Sequence, residues 1–369
     1  MSNLRLPGPT PVPPDVVEAM GHPMIDHRGK QFREMLFRIT ESLKQAFETK
    51  NDVFLLTSSG TGAMEAAVVN TLSPGDKVLA VSIGNFGDRF SKIAKAYGAD
   101  VTDLKSDEGL AADPEAIRAA LKADPAIKAV LVTHNETSTG ITNDLETIAG
   151  IVKGEFDKLF LVDAVSSLGS IRVATDAWGL DVVVSASQKG WMCPPGLAMI
   201  AVSPRAWEAA KTAKMPKFYF DLTEAKSSLA KGQTPWTPTI SVMYGMDHAL
   251  QLMLDRGDMQ AVYDFHTKIA QYTRDGLVKL GLKLVAQDER YASNTVTAAW
   301  VPEGITDSAL LTMLRDEYDI IAAEGRGVLA GKVFRIGHMG YVRTEDIDDV
   351  LTALRDALPK LGFTPTAAS

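Results

Sequence analysis

Cysteine is nearly absent: Cys193 alone among 369 residues leaves no internal disulfide framework and fits a reducing cytosol. Basic tracts are missing too. The formal net charge is −8, and no Lys/Arg-rich run supplies the footprint that nucleic acid needs. No stretch approaches the roughly 18 uninterrupted apolar residues of a membrane span. The start, MSNLRLPGPTPVPP, lacks the apolar centre of a signal peptide. There is no internal repeat, and no low-complexity segment apart from a short polar tail, TPTAAS. Neither a GKS/GKT phosphate loop nor a GxGxxG dinucleotide fingerprint occurs. These absences leave the expectation of a soluble, cytoplasmic chain of enzyme size, with no nucleic-acid, membrane or metal partner and room for about two domains.

What is present is a rhythm. From about residue 50, short apolar runs alternate with Ala-rich helical stretches: VFLLT (53–57), KVLAV (77–81), KAVLV (128–132), KLFLV (158–162), DVVVS (181–185) and LAMIAV (197–202). Strands apolar on both faces predict an α/β fold, with a mostly parallel sheet covered by helices on both sides. Ligands of such sheets bind beyond the carboxyl ends of the strands. The Pro-rich start reads as an extended arm. The segment 204–260 reads as irregular and then helical. Beyond it come a helix near 262–280, LKLVA (282–286), TVTAAW (295–300), a helix near 307–317, VFRIG (333–337) and a helix near 344–358. The expected organisation is an arm (1–20), a large domain (21–257) and a smaller C-terminal α+β domain (258–369).

The residues just past the strand ends carry chemistry. Asp163 closes an apolar run, where a carboxylate costs free energy unless it is paired or caps a helix. Lys189 follows VVVSASQ and precedes GWMCPPG, a setting unlike that of a surface lysine. An amine and a carboxylate at neighbouring strand ends are what pyridoxal phosphate needs. The amine holds the aldehyde as a Schiff base, and the carboxylate keeps the ring nitrogen protonated. In TSSGTGAME, small residues let backbone wrap an anion, Ser59 and Thr61 add hydroxyls, and a helix amino terminus follows; an ordinary capped turn is the alternative. Phe86, between glycines in IGNFGDRF, is placed either to stack on a flat ring or to fill a core. The run THNETSTG offers hydroxyl donors or forms a simple turn. Arg335 in GKVFRIGHMG is enclosed by apolar residues, so it requires a partner: an internal carboxylate, or the carboxylate of a substrate held bidentately. His338 beside it reads as structural or pocket-lining.

Taken together, PGPTPVPP, SGTGAME, GNFGDR, ETSTG, VDAVSSLG, SQKG and KVFRIGHMG resemble class V aminotransferases of fold type I, most closely the alanine/serine–glyoxylate group, over about residues 4 to 358. The resemblance implies Lys189 as the Schiff-base lysine and Asp163 as the pyridinium partner. It implies Ser59, Gly60, Thr61 and Gln188 around the phosphate, Phe86 over the ring, Val165 beneath it and Thr137 at the ring hydroxyl. Arg335 would bind the substrate carboxylate, with Gly8 and Pro9 of the arm closing the pocket. It further implies a homodimer in which Trp236 and Thr239 complete the partner's phosphate cup; relatives often have Tyr at the Trp236 position. The implied reaction is ping-pong transamination from serine or alanine to glyoxylate or pyruvate. Another small amine, of the ureidoglycine or aminophosphonate type, is an alternative donor. A cysteine desulfurase is disfavoured because Cys193 lies only four residues past the lysine. A single carboxylate clamp suits small substrates, although Arg28 or Arg326 could supply a second cation.

Overall fold

The computed structural model describes residues 2–255 and 257–363, so the tail TPTAAS lies outside the described residues. The apolar runs become strands of one seven-stranded sheet. These are β1 (Asp52–Ser58), β2 (Lys77–Ser82), β3 (Asp100–Lys105), β4 (Ala129–Thr133), β5 (Leu159–Asp163), β6 (Val182–Ala186) and β7 (Gly196–Val202). Their order is β1-β7-β6-β5-β4-β2-β3, and β7 alone runs against its neighbours. The segment between β6 and β7 contains no helix. A parallel return needs a crossover of a dozen residues or more, so this short connection makes β7 antiparallel.

Alternation along the strands divides the core in two. Val53, Leu79, Val130, Phe160 and Val183 face one cluster, together with helices α1 (Lys30–Ala46) and, further along the chain, Ile240–Leu254. Phe54, Val78, Leu131, Leu161 and Val184 face the other, together with α2 (Gly60–Thr71) and α3 (Asn85–Ala96). Period-two alternation with both faces apolar is what a sheet buried on both sides requires. With Ile240–Leu254 as α4, the chain continues into α5 (Met259–Lys279), α6 (Asp307–Tyr318) and α7 (Thr344–Lys360). These last three helices pack on a second, antiparallel sheet of β8 (Val296–Trp300), β9 (Ala323–Glu324) and β10 (Val333–Gly337), in the order β8-β10-β9. Among the described residues no helix is long and apolar enough to cross a membrane.

Three local expectations change. LKLVA is not a strand: Leu284 makes only an isolated bridge to Ala299. The edge strand β3, DVTDLK, is polar and largely exposed, so hydrophobic patterning gives it no signal. The stretch expected to be irregular contains the helices Pro204–Ala210 and Leu222–Leu229, each capped by its own Ser203 or Asp221 side chain. The arm itself is tied down. Asn3–Leu4 pairs in parallel with Ile320–Ile321, and a helix begins at Pro14, where the missing N–H costs nothing.

Candidate active site

Five of the singled-out positions lie at or just beyond carboxyl ends of parallel strands: Ser59 after β1, Phe86 after β2, Thr137 after β4, Asp163 at the end of β5 and Lys189 after β6. Asp163 is 3% exposed. Its carboxylate accepts from the Val165 N–H (2.9 Å) and from Thr133 Oγ1 (3.1 Å), the residue paired with it across β4. No cation of the described residues forms an ion pair with it, and burial pushes its pKa up to about 6. Val165 turns back over α2, where a Cβ on Gly60 would come within 2.7 Å of its Cγ2. Only glycine lets the start of that helix approach so closely.

Lys189 is buried at the same floor. Burial, followed by the charge of Arg335, lowers its pKa to about 8, while Asp163 opposes the shift. Its Nζ donates to the Pro7 carbonyl of the arm. Gly8 crosses the lysine so tightly, at φ +109°, that a Cβ would lie 2.5 Å from Nζ. Pro9 follows through a cis peptide, and Thr10 secures the crossing by donating from its N–H to the Gln188 carbonyl (3.1 Å) and from Oγ1 to that of Lys189 (3.1 Å). The arm residues expected at the pocket are therefore laid on the lysine.

The facing wall is organised by Glu136, a member of the ETSTG run to which the resemblance assigns no role. It is fully buried. One carboxylate oxygen accepts from the N–H groups of Phe86 (2.9 Å) and Gly87 (3.1 Å), and the other from Ser138 N–H (3.1 Å) and Oγ (2.6 Å). Burial raises its pKa against the pull of these donors. One side chain thus ties the amino terminus of α3, which carries Phe86, to the turn that carries Thr137. A carboxylate just past a buried strand end was the available signal, the same one that singled out Asp163.

Arg335, in β10 and 3% exposed, has no ion pair among the described residues. Its Nε donates to Glu324 O (2.9 Å) and Nη1 to Thr137 O (2.8 Å). Burial and the nearby charge of Arg326 lower its pKa to about 10. The internal salt bridge held open by the sequence is not found. His338 is buried, meets Thr297 Oγ1 through Nε2 (2.8 Å), and burial pushes its pKa down to about 3, so it is neutral.

At the anion turn, Ser59 is the N-cap of α2, yet its hydroxyl makes no capping bond. Thr61 Oγ1 accepts from Arg89 Nη1 (3.1 Å), and the same guanidinium stands 4.7 Å from the centre of the Phe86 ring. Gln188 keeps a buried Oε1 without a partner among the described residues. Trp236 and Thr239 make no hydrogen bond to Lys189 or Asp163. The Trp236 indole N–H donates to Tyr219 O (2.8 Å), and the Thr239 N–H to Thr57 Oγ1 (3.3 Å). Cys193 is fully buried, its thiol against Val242 O (3.5 Å), and burial pushes its pKa up to about 12. A thiol so placed is a poor nucleophile.

Known proteins match this chain over nearly its whole length. The family profile described as "Aminotransferase class-V" matches residues 3–350. The small subunit of a soluble hydrogenase from Synechococcus sp. is 43% identical over 98% of this chain and 94% of its own length. An L-aspartate–glyoxylate aminotransferase from Paracoccus denitrificans is 38% identical over 91% and 85%, respectively. A solved alanine–glyoxylate aminotransferase from Nostoc sp. superposes with a TM-score of 0.93 at 33% identity, covering 97% of this chain and 95% of the other.

Proposed function

The chain belongs to the class V aminotransferases, and from that premise we propose that it moves the amino group of a small amino acid, serine or alanine, to glyoxylate or pyruvate in two half-reactions at one site. The relatives support glyoxylate as acceptor, because proteins named for different donors share it. The observation that carries the reading is a pair of complementary buried charges. Among the described residues, Asp163 is a buried carboxylate with no ion-paired cation, and Arg335 a buried guanidinium with no ion-paired carboxylate. Buried charges are kept only when something pairs them.

The residues fit pyridoxal phosphate. A protonated ring nitrogen would give Asp163 its cation and hold the carboxylate ionised. The free hydroxyl of Ser59, the hydroxyl of Thr61 and the first N–H groups of α2 suit a phosphate. Phe86 and Val165 offer apolar surfaces for the two faces of a flat ring. When bound, the cofactor supplies an aldehyde that accepts the amino group and a ring that draws electrons from the donor carbon. The protein supplies the rest. Arg335 orients the donor through its α-carboxylate, with the Nη1 bond to Thr137 fixing the plane of the fork. Lys189, with a pKa near 8, is substantially uncharged at mildly alkaline pH. Its Nζ can take the proton from the donor Cα and later return it. The arm across Lys189 excludes water from that transfer.

Desulfurase chemistry is opposed by the buried, protonated Cys193. An accessory role, which the hydrogenase-subunit name of one relative brings to mind, is opposed by the intact Lys189, Asp163 and Arg335. The same proposal includes a homodimer. The exposed Phe218, stacked on the half-buried Trp236 (4.9 Å between ring centres), and the exposed Tyr219 beside it would give it an apolar face, with Thr239 reaching a second subunit's phosphate cup. It also includes a division near residue 257; the first core still takes Met259, Val262 and Tyr263 from the start of α5, and the second begins at Ile269. A panel of amino donors, each tested with glyoxylate and with pyruvate and followed by separate half-reaction spectra, checks the function. Serine or alanine should reduce the cofactor's visible band and glyoxylate should restore it. A band that no donor changes would contradict the reading.

A further inference from the structure

Every residue that the family resemblance places around the phosphate is uncharged: Ser59, Gly60, Thr61 and Gln188, with Trp236 and Thr239 across the proposed dimer. A phosphate monoester carries roughly 1.5–2 negative charges at neutral pH. Drawing such an anion out of water is costly unless a cation stands near it.

Arg89 stands beside this cup. It lies on α3 one turn after Phe86, and that spacing sets both side chains on one face of the helix. The half-buried guanidinium touches two parts of the site at once. Its Nη1 donates to Thr61 Oγ1 at the start of α2 (3.1 Å), and its central carbon stands 4.7 Å from the centre of the Phe86 ring. A guanidinium has donors and no acceptor, so the Thr61 oxygen can only accept in that bond. The Thr61 hydroxyl proton is left to be donated elsewhere, as an anion at a helix amino terminus requires.

The charge itself is not spent on the protein. Arg89 forms no ion pair among the described residues. Asp88, next to it in the chain, is taken by Lys105 (2.9 Å) and by the Ser82 hydroxyl (2.9 Å). Glu65, one turn after Thr61, accepts from the Tyr97 hydroxyl (3.4 Å). The backbone that carries Arg89 is nevertheless fixed. Glu136 holds the N–H groups of Phe86 and Gly87, and a Cβ on Gly87 would lie 2.8 Å from Ser82 Cα. An unpaired guanidinium on so rigid a turn, resting on an aromatic ring, is a charge set in place before any anion arrives.

We propose that Arg89 is the counter-charge of the cofactor's phosphate and orients the Thr61 hydroxyl toward it. This rests on the pyridoxal phosphate reading and adds to it the cation that the phosphate cup otherwise lacks. Arg89 is a positioning residue acting through Thr61, so its effect should follow the phosphate and not the aldehyde or the ring.

The test titrates the cofactor-free wild type, Arg89→Gln and Arg89→Lys with pyridoxal 5′-phosphate and with pyridoxal, which has no phosphate, and reads the visible band. Arg89→Gln should weaken pyridoxal phosphate roughly tenfold or more, the worth of a hydrogen bond to a charged group, while pyridoxal changes less than about threefold. Arg89→Lys keeps the charge and should recover part of the loss. Inorganic phosphate alone should raise the melting temperature of the cofactor-free wild type and leave that of Arg89→Gln unmoved. The losses caused by Arg89→Gln and Thr61→Val should be less than additive, because one residue acts through the other. An equal loss for the two compounds, a pyridoxal phosphate affinity indifferent to Arg89→Gln, or fully additive losses would each overturn the proposal. A wild type that gains a band with neither compound would instead remove the cofactor reading on which it rests.

Discussion

Glu136 on the Phe86 wall and Asp163 on the Lys189 floor are both fully buried carboxylates near strand ends, and burial pushes the pKa of each upward. Glu136 is saturated: two backbone N–H groups of α3, one of the Thr137 turn and the Ser138 hydroxyl all donate to it. Asp163 receives two hydrogen bonds and forms no ion pair among the described residues. The wall carboxylate is spent on structure, because its bonds fix where Phe86 and Thr137 stand. On the proposed reading, the floor carboxylate is the partner of a protonated ring nitrogen. Buried charge of the first kind is scaffolding, and charge of the second kind is a candidate for binding.

Asp163→Asn strains the comparison hardest. Turnover should fall by roughly 10²–10⁴-fold, the range typical of groups that tune proton transfer. The cofactor-free protein should nevertheless become more stable. With a folded pKa raised from 3.8 to about 6, wild type carries its burial penalty fully above pH 6 and loses it as pH falls below 4. The asparagine variant should therefore gain up to about 3 kcal/mol at pH 8 and nothing at pH 3.5. Melting curves of the two cofactor-free proteins across that range check the sign.

Glu136→Gln should do the opposite on a smaller scale. An amide turns N–H groups toward N–H donors, leaving buried groups unpaired at a cost of about 1–3 kcal/mol. Its melting temperature should fall with and without cofactor, and the cofactor dissociation constant should rise severalfold as Phe86 loses its anchor. If both substitutions destabilised the cofactor-free protein alike, the distinction between the two walls would be gone.

How much of this was legible depended on whether a residue's neighbours in sequence were also its neighbours in space. Asp163, Lys189 and Arg335 stand out because apolar residues surround them along the chain, and a charge in such company needs a reason. The strands legible from their apolar runs are the ones buried on both faces, whereas β3 at the polar edge is invisible to the same rule. The role of Glu136 depends on Phe86 and Gly87, about fifty residues away, which no local window of sequence brings together. The reversal of β7 was implicit in a connection without a helix, a signal of length and not of residue type. LKLVA had the composition of a strand but found only one bridging partner, on β8.

The central claim is the proposal that Lys189 and Asp163 hold pyridoxal phosphate, and a spectrum after reconstitution tests it most directly. Wild type incubated with the cofactor and then desalted should keep a visible absorption band, and Lys189→Ala should keep none. A colourless wild type, or a band that survives the loss of Lys189, would contradict the account.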